Sequence, residues 1–416
     1  MTEPGKQTEP LPGFVSFVAR VRRDATLLAA LRRERDPAAL VVQSSALAGS
    51  AGYRFDESEV LAQLEAGRRA WLMQWLPEDR EAEPPALRSD DGEPPGAEWI
   101  PYRVAMVDGR LAIDWCHLDA ARLIEPFFHS TIVSAASTPF NLVFRWRTGI
   151  EALDALPQSL APSGFLFHLS RCGSTLCAQA LAANPRHIVV SEAAPLDFAL
   201  RHPALDETQR VRLLRGLMRA WGRPRANQET QLFVKLMASH LLHLPTLRSA
   251  FPELPWLFVY RDPVEIMVSQ ERNLSAEFAR GAGNPGRFGL TVEEVAALDD
   301  ESHLARVLAA IAAVAVDEIA AGAGRLAHHE ELSSDCTSVL REAFALPAEA
   351  FPAAALEHIA RRHAKFPGED YLDDRAQKQA EASSALRIAA QRYLLPHYEA
   401  LERLRAARHS RAMPIA

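Results

Sequence analysis

The sequence predicts an α/β fold, a parallel sheet flanked by helices, preceded by a small all-helical module. Three observations carry this prediction. Short apolar runs at 165–169, 187–190, 232–236, 257–260 and 325–328 alternate with helix-forming stretches, as β-α-β units do. The first and fourth runs each end in a turn that opens a helix. Before residue 77, by contrast, apolar residues recur only at helical spacing.

In chain order, Phe14, Phe17, Val18, Val21, Leu27, Leu28 and Leu31 form the first helical pattern, followed by apolar runs at 38–47 and 60–76. They predict about three helices within a leader module, 1–77. Residues 78–98 hold Pro84-Pro85, Pro94-Pro95, Gly92, Gly96 and eight acidic residues, the composition of an extended tether. Residues 99–155 mix β-like runs with Trp115, Phe127, Phe128, Phe140, Phe144 and Trp146, and are expected to be an accessory arm on the domain that follows, 156–416.

The 416 residues are 48% hydrophobic and 24% charged, enough apolar material for a sizeable core. A net charge of -7 offers no global field for a polyanion, so a general nucleic-acid binder is not expected. Four scattered cysteines, Cys116, Cys172, Cys177 and Cys336, make no disulfide framework and point to a reducing cytoplasm. The amino terminus lacks the apolar stretch of a secretory signal, and the longest uncharged apolar run, 307–316, is about half the roughly 20 residues of a membrane span. No membrane association is expected.

The sharpest motif runs from Gly164 to Leu176, Gly-Phe-Leu-Phe-His-Leu-Ser-Arg-Cys-Gly-Ser-Thr-Leu. A strand, a loop containing Gly173, and a helix start make a phosphate cradle, because backbone N–H groups and the helix dipole converge there. Arg171 adds a charged fork, and Ser174 and Thr175 add hydroxyls. The nucleotide-triphosphatase pattern is broken: His168 stands where its first glycine belongs, and no lysine follows Gly173. At the end of the fourth run stands Arg261-Asp262-Pro263-Val264-Glu265, followed by Ser269. Asp262 fits an N-cap, Pro263 the first helical position and Glu265 a capping box.

Together the two segments resemble the sulfotransferases that use 3′-phosphoadenosine-5′-phosphosulfate. In that family, a loop of Pro, Lys or Arg, a small residue, Gly and two hydroxyl residues holds the 5′-phosphosulfate. Ser170-Arg171-Cys172-Gly173-Ser174-Thr175 matches it, with Ser170 in place of the Pro. Arg is the rarer choice at the second position and occurs there in the tyrosylprotein branch. An Arg followed eight residues later by Ser holds the 3′-phosphate, and Arg261 and Ser269 keep that interval. The likeness covers about 162–329. It implies a P-loop sulfotransferase-like sheet and a sulfuryl donor held by Arg171, Cys172, Gly173, Ser174, Thr175, Arg261 and Ser269, with no metal. Glu192, after the second strand, matches the proposed base; its other reading is to orient Arg171 or to cap the next helix. Lys235, ending the third strand, matches a Lys facing the sulfate; its other reading is a snorkelling surface residue. The acceptor, a small molecule or a peptide, stays open. So do two other functions: an adenosine-bisphosphate-binding protein without turnover, and a kinase using ATP.

Weaker candidates are set aside. Cys172 at a helix start has a position that lowers a thiol pKa, but the phosphatase spacing fails at Ala178. Cys116 with Arg122 lacks glycines between, and His117 with Asp119 is a chance iron-type pair. His168, His240 and His243 read as packed or surface residues; Lys365 and Lys378 could close over the 3′-phosphate, as basic loops do in the resembled family, but solvated surface is the preferred reading. The amino-terminal pattern, from Ser16-Phe17 through Asp36-Pro37 to 51–56, resembles the nitrogen-fixation-type leader domain of modified-peptide precursors. That likeness implies docking of a peptide or protein partner.

Overall fold

The computed structural model describes residues 13–73, 94–226, 228–281, 283–352 and 374–412. The amino-terminal segment forms four helices, α1 (Phe14–Val21), α2 (Ala25–Leu31), α3 (Pro37–Ser50) and α4 (Glu57–Met73). The single helix expected over 14–31 is broken by Asp24. Its carboxylate accepts from the N–H groups of Thr26 and Leu27, at 3.0 and 3.2 Å, and so starts a new helix. Asp36 caps α3 in the same way, with Pro37 first in the helix.

The aromatic-rich stretch holds a three-stranded antiparallel sheet of β1 (Trp99–Val107), β2 (Arg110–His117) and β3 (Trp146–Gly149). The β1-β2 hairpin turns through Asp108 and Gly109, both at positive φ, which suits the twist of the strands. Asp114 and Arg147, opposite each other on β2 and β3, make a buried bidentate pair at 2.6 and 2.8 Å. The described residues divide into two compact units: those up to 122 with 129–158, and 123–128 with those from 159 onward. The antiparallel sheet therefore belongs with α1–α4, whereas the sequence suggested an arm on the following domain. The reason lies in the packing. Phe17 packs edge-on against Phe144, and α4 passes residues 139–143 so closely that a Cβ on Gly67 would stand 2.1 Å from the Leu142 carbonyl. Most of the expected tether, 78–93, lies outside the described residues.

The second unit is built on a five-stranded parallel sheet of β4 (Pro162–His168), β5 (His187–Ser191), β6 (Gln231–Lys235), β7 (Trp256–Tyr260) and β8 (Arg325–His328). The spatial order is β5-β6-β4-β7-β8, with helices flanking the sheet. The sheet's interior is apolar on both faces, as a parallel sheet between helices requires. From central β4 the chain crosses to β5, returns through β6, and goes over to β7 on the other side. Connections diverge at the carboxyl end of β4, where open α/β sheets bind ligands. The apolar run 307–316 lies within a buried helix, Asp300–Ala320. Among the described residues, no helix is long and apolar enough to cross a membrane.

Candidate functional site

β4 ends at His168, and the chain reaches the helix Ser174–Ala182 through a tight loop. Ser170, Arg171 and Gly173 sit at φ of 63°, 50° and 92°. Only the glycine adopts this region without cost, so the other two need tertiary support. Ser170 has it: its N–H donates to His168 Nδ1 at 2.9 Å, and Gln270 Nε2 donates to its hydroxyl at 2.7 Å. Arg171 donates to the Asn273 carbonyl. A Cβ on Gly173 would meet His329 Nδ1 at 2.9 Å, so glycine is required by space as well as by φ.

Cys172 departs from the reactive setting its position suggested. Its side chain is fully buried with Sγ 3.0 Å from the Val259 carbonyl, and burial pushes the thiol up to about 12. Its contribution to the loop is through backbone. Ser174 and Thr175 begin the helix, both buried.

Glu192 follows β5 directly, at φ 54°, with its N–H donating to the Lys235 carbonyl at 2.8 Å. Its carboxylate pairs with Lys235 Nζ and lies 3.3 Å from His168 Nε2. Burial works to raise the Glu192 pKa, but the Lys235 ammonium and His168 outweigh it and hold the carboxyl far below its ordinary range. The Lys235 side chain is buried rather than snorkelling, with Nζ 3.4 Å from Thr175 Oγ1 and 5.1 Å from the centre of the Phe127 ring. His168, expected to be a packed or surface histidine, is packed and also part of this cluster. With Nδ1 accepting from Ser170, its proton belongs on Nε2, facing Glu192.

A second polar cluster stands at the end of β7. Asp262 caps the helix Pro263–Arg272, its carboxylate accepting from the Glu265 N–H at 3.1 Å. The expected capping box is only half formed, because the Glu265 side chain turns to Arg261 Nε at 2.5 Å. Arg261 Nη2 also reaches Asp374 Oδ1 at 3.3 Å, and Lys378 Nζ lies 2.9 Å from Asp374 Oδ2. Lys378, expected to be solvated, is only 5% exposed. Ser269 is half-buried, roughly two turns along the same helix. Lys365 lies outside the described residues.

The fold thus brings Glu192, Lys235, Thr175 and the 170–175 loop together at adjacent strand ends, with Arg261 at the end of the neighbouring strand on the other side of β4. Sequence reasoning missed His329, the first residue of the helix His329–Phe344. It is buried beside Gly173, neither ring nitrogen has a hydrogen-bond partner among the described residues, and burial together with Arg261 pulls it down to about 4. The other candidates have structural roles. His117 Nδ1 accepts from the Asp119 N–H, Asp119 pairs with Arg32, and Cys116 is buried. His240 is buried on Asp197 at 3.1 Å.

No family model matches the sequence, and no curated protein matches it. Several solved structures resemble the chain at low similarity, three of them as follows. A sulfotransferase from Alicyclobacillus acidocaldarius is 17% identical at a TM-score of 0.34, over 59% of this chain and 96% of that one. The sulfotransferase domain of the Synechococcus PCC 7002 olefin synthase is 14% identical at 0.34, over 59% and 95%. Sulfotransferase STF1 of Mycobacterium tuberculosis H37Rv is 13% identical at 0.31, over 58% and 78%. Likeness at such scores carries no argument about activity, which has to come from the residues of the site.

Proposed function

We propose that the chain is a sulfotransferase that moves a sulfuryl group from 3′-phosphoadenosine-5′-phosphosulfate to a hydroxyl or amine acceptor. The observation that carries this reading is the Glu192-Lys235-Thr175 cluster beside a phosphate-type loop at the central strand ends. The residues suit such a donor. The loop offers N–H groups at a helix start, its turn through Gly173 held where a Cβ would run into His329, and Arg261 and Lys378 offer cationic donors for a second phosphate.

When bound, the donor supplies an electrophilic sulfuryl group with a phosphate as leaving group. The 170–175 loop, with Arg171, Ser174 and Thr175, holds the phosphate end and meets the charge that accumulates there. Lys235, now neutralised by Glu192, is placed to turn its ammonium toward the sulfuryl oxygens. That turn frees the Glu192 carboxylate, whose Oε1 then takes the acceptor's proton as the acceptor oxygen or nitrogen bonds to sulfur. His168 Nε2 steadies the carboxylate while Lys235 is engaged elsewhere.

A second reading is favoured by one observation. The Lys235 pair keeps Glu192 a weak proton acceptor, which suits a binding protein that retains the nucleotide site without turnover. The test is calorimetry of adenosine 3′,5′-bisphosphate against ATP with magnesium, followed by turnover with labelled donor. Preference for ATP would replace the sulfotransferase by a kinase, and bisphosphate binding without transfer would favour the binding protein. In the same proposal, the protein works in the cytoplasm on a small-molecule or peptide acceptor, with α1–α4 as a docking element for a peptide or protein partner.

A further inference from the structure

Three cations converge on one carboxylate at the end of β7. Asp374 is 3.3 Å from Arg261 Nη2, 3.6 Å from Arg272 Nη1 and 2.9 Å from Lys378 Nζ. Two of those cations, Arg261 and Lys378, have side chains about 6% exposed, so their charges have little water to answer them. Three acids balance the three cations: Glu265 on Arg261, Glu381 on Arg272, and Asp374 between all of them. Glu265 is built in. It lies four residues after Arg261, in the first turn of the helix that Arg261 leads into, its side chain is 9% exposed, and its N–H is tied to the Asp262 cap. Asp374 is different. It arrives from a segment more than a hundred positions away in sequence, its side chain is 30% exposed, and it makes no side-chain cap to the short helix Arg375–Glu381 that follows it. A carboxylate and a phosphate present the same kind of acceptor oxygen to guanidinium and ammonium donors.

We propose that Asp374 is a built-in anion occupying the seat of the nucleotide's second phosphate, and that ligand and Asp374 compete for Arg261, Arg272 and Lys378. This rests on the donor-site reading given above. Without a ligand, Asp374 neutralises the cluster and lets Lys378 be buried. When the ligand arrives, its phosphate displaces the carboxylate into solvent, toward which it is already partly open. The competition sets the affinity: if the carboxylate holds the cluster nine-tenths of the time, ligand binding is about tenfold weaker than the cluster alone allows. Product release is helped in the same measure, since Asp374 is always at hand to retake the seat.

The test is calorimetry on the full chain with adenosine 3′,5′-bisphosphate and adenosine 5′-phosphate, for wild type, Asp374→Asn and Asp374→Ser, with melting temperature recorded for each. The Ser variant, uncharged and smaller, provides a second test should the Asn variant fail to fold. The expected result is about tenfold tighter bisphosphate binding in the folded variants, with the 5′-phosphate unchanged. Asp374→Glu, which keeps the charge, should bind as wild type does. Equal or weaker bisphosphate binding in the folded variants, while wild type still prefers it over the 5′-phosphate, overturns the competition and leaves the donor reading standing. If wild type shows no preference for the bisphosphate, the donor reading fails and this proposal fails with it.

Discussion

Replacing Lys235 by Met tests whether the Glu192 pair is the hinge of the site. The substitution keeps the buried stem and removes the ammonium, leaving Glu192 with His168 as its remaining partner. Breaking a fully buried pair costs about 3–5 kcal/mol, and since the Glu192 side chain is 23% exposed, about 2–3 kcal/mol is expected at neutral pH. The sign with pH follows from the carboxyl. Its folded pKa is depressed, so the pair's stabilisation is present above the unfolded value of about 4.5 and is lost as pH falls below it. Urea unfolding of wild type and Lys235→Met should therefore diverge most near pH 7 and converge toward pH 3. Adding Glu192→Gln to Lys235→Met should cost little more, giving a coupling energy of about 1–2 kcal/mol. Additive losses, or a gap that does not change with pH, would falsify the assignment of Lys235 as the partner that controls Glu192.

Three further outcomes are expected. Arg261→Ala should weaken adenosine 3′,5′-bisphosphate by about 2–4 kcal/mol in calorimetry while sparing adenosine 5′-phosphate, and equal losses for both would point to folding instead. Glu192→Gln should keep donor binding but lower turnover roughly 100-fold on an identified acceptor, and turnover within threefold of wild type would make Glu192 structural. His117 and His329 are buried neutral, with folded pKa values of about 4 against 6.5. Stability should then fall as pH drops from 6.5 toward 4, by on the order of 2 kcal/mol for each histidine, and denaturant titrations of His117→Asn and His329→Asn should show flatter profiles than wild type.

The parallel strands were legible to within a residue, except that β4 begins three residues before its apolar run, because each is a short apolar run with a turn behind it. The break at Asp24 was not, since an unbroken apolar spacing runs across the cap. The antiparallel sheet was harder still. β3 lies some thirty residues beyond its partner β2, with the helices Phe128–Ala136 and Pro139–Val143 between them, so its pairing leaves no local pattern. In the site, Glu192 and Lys235 were singled out by the resemblance to the sulfotransferase pattern, which matched them at the ends of the second and third apolar runs. His168 closes a run in the same way, and that position is the signal that would have found it. Lys378 entered only as a lysine that could close over the 3′-phosphate, and Asp374 offered no clue, because their pairing depends on Arg261, more than a hundred positions earlier.

Ser170, Arg171 and Glu192 bear side chains yet hold left-handed backbone angles at the ends of β4 and β5. Each stores about 1 kcal/mol that glycine would release. Glycine at any of the three would relieve that strain but delete the contact its side chain makes, at greatest cost at Glu192, whose loss would leave the buried Lys235 ammonium without its carboxylate. The strained positions are thus held by the same contacts that set the phosphate loop and the carboxylate. Stabilisation is better sought in the helices and in the strands of the antiparallel sheet, away from the phosphate loop and the carboxylate.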